Sequence, residues 1–392
     1  MARVESFPNP PLLIWARESA GYTQELLAKK LKIGLRQLQL WEEGSSRPSV
    51  SQLRRIGAIT KRPLAVFYLP EPPRKFEALH DFRAGSGTTF IGIRSPSLTF
   101  EIRKAHDRRE WALELLQRLE SEPPRFSVRT DLDQPPEATA ERLRAALGVK
   151  MDAQTEWRPD YEAFRWWRKI LEGAGILTFQ STEIDLSEAR GFSLSLKPLP
   201  VIVVNIKDAP KGRIFTLLHE LAHIAVNDGG VCDLNDNKRQ NASASIEAYC
   251  NRVAGAVLYP KRELLATDVI RDHPQNQRHW SDEEIITVSR KFGGSRDALL
   301  VRLLTLGLTD EKFYLRKKEE YAQEYAKLRE HRKPGFALPH VVAVASAGPL
   351  FTGLVIEGFN RERITASDVS DYLEVRVKHL NAIQRDFLRQ AE

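Results

Sequence analysis

The stretch FTLLHELAHIAVN, Phe215 to Asn227, decides how the chain is read. His219 and His223 stand four residues apart, and Glu220 follows the first of them. Ile214, Leu217, Leu218, Leu221 and Ala225 recur at helical spacing, which predicts a helix over residues 211–226 with one buried stripe. One turn separates the two imidazoles, so both project from one face and can hold a single ion. Glu220 sits about 100° round the axis, placed to reach a water on that ion rather than the ion itself. A bound Zn²⁺ lowers the pKa of such a water to about 7, and a neighbouring carboxylate can take its proton and pass it to a leaving amine. The plainer alternative is a buried helix whose two histidines are satisfied by hydrogen bonds.

Catalytic zinc typically has three protein ligands and an open position, so the pattern asks for a third ligand. The segment SASIEAYCNRVAGAVLYP, residues 243–260, predicts a second helix over 244–258. Ile246, Cys250, Val253 and Val257 make its apolar face, and Glu247 and Asn251 lie one turn apart beside it. The chain between His223 and Glu247 is long enough for a loop and an antiparallel return. Taken alone, Glu247 is an ordinary glutamate near a helix start, favoured there by the dipole. Next to the histidine pair it becomes the candidate third ligand, with Asn251 able to hydrogen-bond a ligand histidine.

The run from Arg190 to Pro260, RGFSL, PVIVVN, RIFTLLHELAHI and EAYCNRVAGAVLYP in order, resembles the ImmA/IrrE family of gluzincin-type metallopeptidases. The resemblance implies a small α/β peptidase with His219, His223 and Glu247 as metal ligands and Glu220 as general base. Its metal is expected to be Zn²⁺, with Mn²⁺ as the alternative, since His and carboxylate ligands suit several ions. Glu247-x-x-x-Asn251 is similar to the Glu-x-x-x-Asp of thermolysin-like enzymes, with a neutral amide where those have a carboxylate. No residue declares itself as the oxyanion donor; Tyr249, Tyr259 and His279 are candidates.

The composition, 42% hydrophobic and 28% charged, is that of a globular protein, and the two cysteines, Cys232 and Cys250, give no disulfide framework and fit a reducing cytoplasm. No apolar run approaches the ~20 residues of a membrane span, and the N-terminus lacks the pattern of a signal peptide. The net charge of +7 is carried by residues 1–75, which hold 13 Lys and Arg against 6 Asp and Glu. A basic first module on a neutral body points to a polyanionic partner.

That module contains GYTQELLAKKLKIGLRQLQLWEEGSSRPSVSQLRRIG, Gly21 to Gly57, which resembles the Xre/Cro-type helix-turn-helix family. Thr23 caps a helix to about Leu31 whose inner side is Leu27, Ala28 and Leu31. A second helix, Leu35 to Glu42, turns Leu38 and Trp41 inward. The resemblance implies that Gln24, Arg36, Gln37 and Gln39 face double-stranded DNA, where Arg and Gln can make bidentate base contacts. Gly34 and Leu35 stand where small polar or basic residues are common in that family. The later segment IITVSRKFGGSRDALLVRLLTLGL also has a helix–turn–helix pattern, but its leucine density predicts packing against the second body.

The expected fold is multidomain and mainly α. It has a helix-turn-helix bundle over 1–75, a helical connector over 76–150, a small α/β (α+β) gluzincin-like domain over 151–275 and a helical C-terminal region over 276–392. Pro70–Pro73 marks the first boundary, a Gly/Ser/Thr/Pro-rich segment over 84–97 follows it, and short strands are expected at 176–179, 191–196 and 201–205. The functional expectation is a cytoplasmic DNA-binding metalloendopeptidase and transcriptional regulator in stress response or mobile-element control. Its protein substrate would be an Xre-like repressor, with no membrane partner and a homodimer allowed. The alternative is an antitoxin-like DNA-binding regulator that holds a toxin partner with little or no proteolysis. Against it stands Glu220, which a purely structural ion would not require.

Overall fold

The structure is a computed structural model that describes residues 5–73, 95–226, 236–274, 277–330 and 338–391. The Gly/Ser-rich segment up to residue 94 and the residues around Cys232 lie outside the described residues. The chain divides into two compact units, Met1–Lys104 and Ala105–Glu392, and the division falls within the helix Pro96–Arg118.

The first unit contains α1 (Pro10–Ser19), α2 (Gln24–Leu31), α3 (Leu35–Glu42) and α4 (Val50–Thr60), followed by a 3₁₀ turn at Leu64–Tyr68. The Thr23 side chain accepts from the Leu26 amide to start α2, and a capping box of Ser49 and Gln52 starts α4. Leu27, Ala28, Leu31, Leu38, Trp41, Leu53 and Ile56 close one small core. The unit extends past the expected boundary at residue 75. Phe100 lies against Tyr22 and under the Lys61 ammonium, and Arg103 donates to the Thr60 carbonyl.

The second unit is built on a three-stranded sheet of β1 (Leu177–Ser181), β2 (Gly191–Leu194) and β3 (Val201–Asn205) in the order β1-β3-β2. β3 is central, parallel to β1 and antiparallel to β2. All five β3 residues are buried, the pattern of a strand covered on both faces, and the run VIVVN shows it. Ile202 and Val204 join the core under the histidine helix, Pro210–Val226. Across the sheet, Phe179 packs edge-on against Phe351 of the helix Pro349–Asn360. The buried Arg168 holds Thr178 and the Ala345 carbonyl together, and the Leu350 amide donates to Glu172.

The glutamate helix, Asp236–Leu258, starts before the expected Ala244 and packs along the histidine helix and the helix Pro136–Ala146. Its first turns, DNKRQNAS, have no apolar period, which is why the sequence read as loop there. Ile285, Val288, Phe292, Leu299, Leu300 and Leu303, from Asp282–Phe292 and Arg296–Thr305, are buried in the same core as Leu143, Leu217 and Val253. The core therefore runs through the boundaries expected near 150 and 275, because Arg296–Thr305 packs on both the glutamate helix and Asp282–Phe292 and so joins the latter to one continuous core.

No single described helix is long and apolar enough to cross a membrane. Pro339–Ala347 and Pro349–Asn360 are apolar enough only as a pair, and they meet at a bend of 110°. Ala343, Val344, Ala347, Phe351, Val355 and Ile356 of that pair are buried.

Candidate metal centre and DNA-binding face

Two helices and one strand build the centre. On the histidine helix, Ile214, Leu217, Leu218, Leu221 and Ala225 are fully buried, which fixes the rotation of the helix and so the direction of its histidines. Truncating one such leucine to alanine costs about 2–5 kcal/mol. On the glutamate helix, Cys250, Val253, Ala254 and Val257 are likewise fully buried and present Glu247 to the same point.

The three candidate ligands converge. His219 Nε2 lies 3.0 Å from His223 Nε2 and 3.2 Å from Glu247 Oε2, and His223 Nε2 lies 3.3 Å from Glu247 Oε1. Zinc bonds of about 2.0–2.1 Å at tetrahedral angles space their ligand atoms by about 3.3 Å, so the triad fits the face of such a site. Among the described residues, His219, His223 and Glu247 are the one group of three or more His, Cys, Asp or Glu that could hold an ion. The His223 side chain is sealed at 1% exposure, whereas Glu247 keeps 30%, so the centre opens to solvent on the glutamate side.

Electrostatics favour a cation here. Burial works to raise the Glu247 pKa, but hydrogen bonds and charge from both histidines hold it down at about 2. Burial likewise opposes a charged His219, and Glu247, Glu220 and Asn251 outweigh it, so its pKa stands above the ordinary value. Asn251 thus lies close enough to influence His219, yet Nδ1 of His219 and Nδ1 of His223 are both buried without a hydrogen-bond partner. Ligand histidines usually donate that second nitrogen, and Asn251, whose side-chain hydrogen bond helps raise the His219 pKa, stands beside that ring.

Glu220 is buried at 3% exposure and accepts a 2.7 Å hydrogen bond from Ser193 Oγ at Oε2. Ser193 is on β2, which can come this close because residue 191 is glycine. A Cβ there would lie 2.5 Å from the Thr216 side chain and 2.7 Å from the Val203 carbonyl oxygen. Sequence reasoning missed Ser193. Its one signal was a hydroxyl in an otherwise apolar strand, GFSL, next to the glycine.

The three oxyanion candidates face elsewhere. The Tyr249 hydroxyl shares hydrogen bonds with Thr130 and Thr139, at 3.1 and 2.9 Å. The Tyr259 hydroxyl donates to the Ser295 carbonyl, and His279 stacks on Phe313 beside Asp310. Cys250 is kept a thiol by burial and by the charges of Glu247 and Glu220, and it lies outside the ligand cluster.

Residues 172–304 match the peptidase family described as the IrrE N-terminal-like domain, and residues 13–67 match a helix-turn-helix family. The chain carries an IrrE-type peptidase domain behind a helix-turn-helix. No curated protein matches it significantly. The matched span of the IrrE-type domain begins just before β1 and ends within the helix Arg296–Thr305, so it takes in the leucine-rich helices beyond residue 275.

In the helix-turn-helix, the four expected DNA-reading side chains all have partners inside the unit. Gln24 donates to Glu42 Oε2 at 2.8 Å, and Gln39 donates to Gln24 Oε1 at 3.5 Å. Glu42 is itself held by Arg17 through Nε at 2.7 Å and Nη2 at 3.2 Å. Gln37 donates to Ser46, and Arg36, 69% exposed, pairs with Glu43 at 3.2 Å. Leu35 opens α3 with more than a third of its surface exposed.

Proposed function

We propose that the protein is a DNA-binding metalloendopeptidase that cleaves a regulatory protein of the Xre repressor class. The observation that carries this reading is a three-ligand centre, open on one side, with a buried carboxylate beside it that is not one of the ligands. A structural site closes its fourth position and needs no base.

His219, His223 and Glu247 would hold the ion, Zn²⁺ by preference and Mn²⁺ as the alternative. When bound, the ion supplies a water of near-neutral pKa and polarises the scissile carbonyl. Glu220 takes the proton at Oε1 while Ser193 holds Oε2, so the carboxylate stays oriented through the transfer. The same carboxyl then gives the proton to the departing amine. The buried position of Glu220 excludes bulk water from competing for it. The helix-turn-helix would bring the peptidase to an operator, where its substrate also binds, in the setting of a stress response or a mobile element.

The test uses the whole chain and a purified Xre-type repressor. Metal-loaded wild type should cut the repressor once, and the His219→Ala protein should neither hold the ion nor cut. Stoichiometric metal with no cleavage of that repressor, alone or bound to its operator, would favour the antitoxin-like reading instead.

A further inference from the structure

A cavity of about 680 Å³ lies between the helix Pro136–Ala146, the end of the glutamate helix and the short helix Lys261–Leu265. None of the described residues lining it is a candidate metal ligand. Ala256, in its wall, is about 13 Å further along the glutamate helix than Glu247. Its size is within the range of small-molecule sites, about 300–1,000 Å³.

The lining has one built polar anchor. Glu137, Ala140, Glu141 and Arg144 recur at helical spacing, so one face of their helix is turned to the cavity. Arg144 Nη1 donates to Gln154 Oε1 at 2.6 Å and to the Val257 carbonyl at 2.7 Å. Its Nη2 donates to the Val149 carbonyl at 3.2 Å and meets the Met151 sulfur at 3.7 Å. All four acceptors are neutral, so they orient the guanidinium without offsetting its charge. The fifth donor, Nε–H, has no partner among the described residues. Burial lowers the Arg144 pKa to about 10, with Glu263 the carboxylate that opposes the shift. The group therefore stays charged at neutral pH while it has lost much of its water.

Three glutamates line the same cavity, and two of them are engaged. Glu137 takes both Nη atoms of the buried Arg302, at 2.6 and 2.7 Å, and Glu263 pairs with Arg262 at 3.1 Å. Glu141 is exposed, as is Lys261, so solvent screens both. Met151, Pro260 and Leu265 add apolar wall. One open N–H and three nearby carboxylates suit a ligand with a single negative charge, and disfavour a phosphate that carries nearly two.

We propose that this cavity binds a small organic carboxylate, with its anionic end on Arg144 Nε–H and an apolar ring or chain against Met151 and Leu265. The site is separate from the metal centre and does not depend on the peptidase reading.

The test titrates the metal-loaded, full-length protein by calorimetry and by saturation-transfer NMR. The probes are octanoate, hydrocinnamate and indole-3-acetate, the neutral amide of each, and inorganic phosphate. At least one carboxylate should bind with one-to-one stoichiometry, roughly tenfold tighter than its amide, the value of a charge-assisted hydrogen bond. Arg144→Gln should bring acid and amide to similar affinity. Because Arg144 also holds two backbone carbonyls, a second variant is needed that spares the fold. Leu265 is 38% exposed, and Leu265→Glu adds a like charge at the apolar wall. That variant should weaken the carboxylate severalfold or more at unchanged metal content and melting. Failure of every carboxylate to bind, equal affinity for acid and amide, or phosphate binding more tightly than all three acids would overturn the proposal. Full affinity in Leu265→Glu would also overturn it, since the anion would then be held elsewhere, at the metal ion or on the basic first unit.

Discussion

The metal centre and the DNA-reading face are both polar clusters on helices, and their hydrogen-bond accounts run in opposite directions. At the centre, two buried Nδ1 atoms have no hydrogen-bond partner, and the candidate ligand atoms of His219, His223 and Glu247 lie within 4.8 Å of one another. Crowding two imidazole Nε2 atoms and a carboxylate together is costly unless a cation joins them. On α2 and α3, by contrast, Gln24, Gln37, Gln39 and Arg36 already have protein partners. The candidate centre suits an ion as it stands, whereas the proposed DNA face would exchange internal contacts for external ones. If Arg36 and Gln24 read bases as proposed, a sequence-specific complex has to break Arg36–Glu43 and loosen Gln24 from Glu42 first.

The largest effect should come from the ligands. Glu247→Ala or His223→Ala removes one of three ligand groups, and elemental analysis should find stoichiometric metal in wild type and almost none in either variant. Full occupancy in Glu247→Ala would mean that another residue is the third ligand.

Next is the pair beneath the DNA face. Arg17 and Glu42 side chains are only 9% and 4% exposed. Removing one partner of such a pair typically costs about 3–5 kcal/mol, so Glu42→Ala should markedly lower the melting of the helix-turn-helix, read by hydrogen exchange of α1–α3 in the full chain. A loss below about 1 kcal/mol would show that the pair is not what fixes Gln24.

A smaller effect is expected on DNA itself. Arg36→Ala should reduce discrimination between sequences by about 1–3 kcal/mol, while Lys29→Ala should weaken all duplexes similarly and lower the salt slope by about one. Titration at several salt concentrations separates the two. Unchanged discrimination in Arg36→Ala would leave Glu43 as its only partner.

The smallest concerns Ser193. Ser193→Ala leaves the ligands intact but frees Glu220 to rotate, and cleavage should drop about three- to tenfold, the value of one lost hydrogen bond, with metal content unchanged.

Much of this was visible in the sequence because it is local. Five apolar residues at helical spacing set the histidine helix, and a one-turn interval placed both rings on one face. Thr23, Leu38 and Trp41 set the turns of the helix-turn-helix in the same way. What stayed hidden depends on contacts between distant segments. Ser193 acts only because Gly191 lets β2 approach Thr216, and nothing in GFSL names that neighbour. Tyr249 looked available from its place beside Glu247, but it turns to Thr130 and Thr139. The core continues past 275 because Arg296–Thr305, with Leu299, packs on the glutamate helix and on Asp282–Phe292, which puts Ile285 and Phe292 in the same core.

Glu220 tests the central claim most directly, since it is the one residue of the motif that an ion-holding scaffold could lose without harm. Glu220→Gln preserves side-chain size and all three ligands, but an amide cannot accept the proton. The measurement is cleavage of an Xre-type repressor by metal-loaded wild-type and Glu220→Gln protein at matched metal content. The account predicts equal metal, equal folding, equal DNA affinity and a fall in cleavage of about 10²–10⁴-fold. Cleavage undiminished in the Gln protein, or a target operon regulated by it as well as by wild type, would contradict the catalytic assignment.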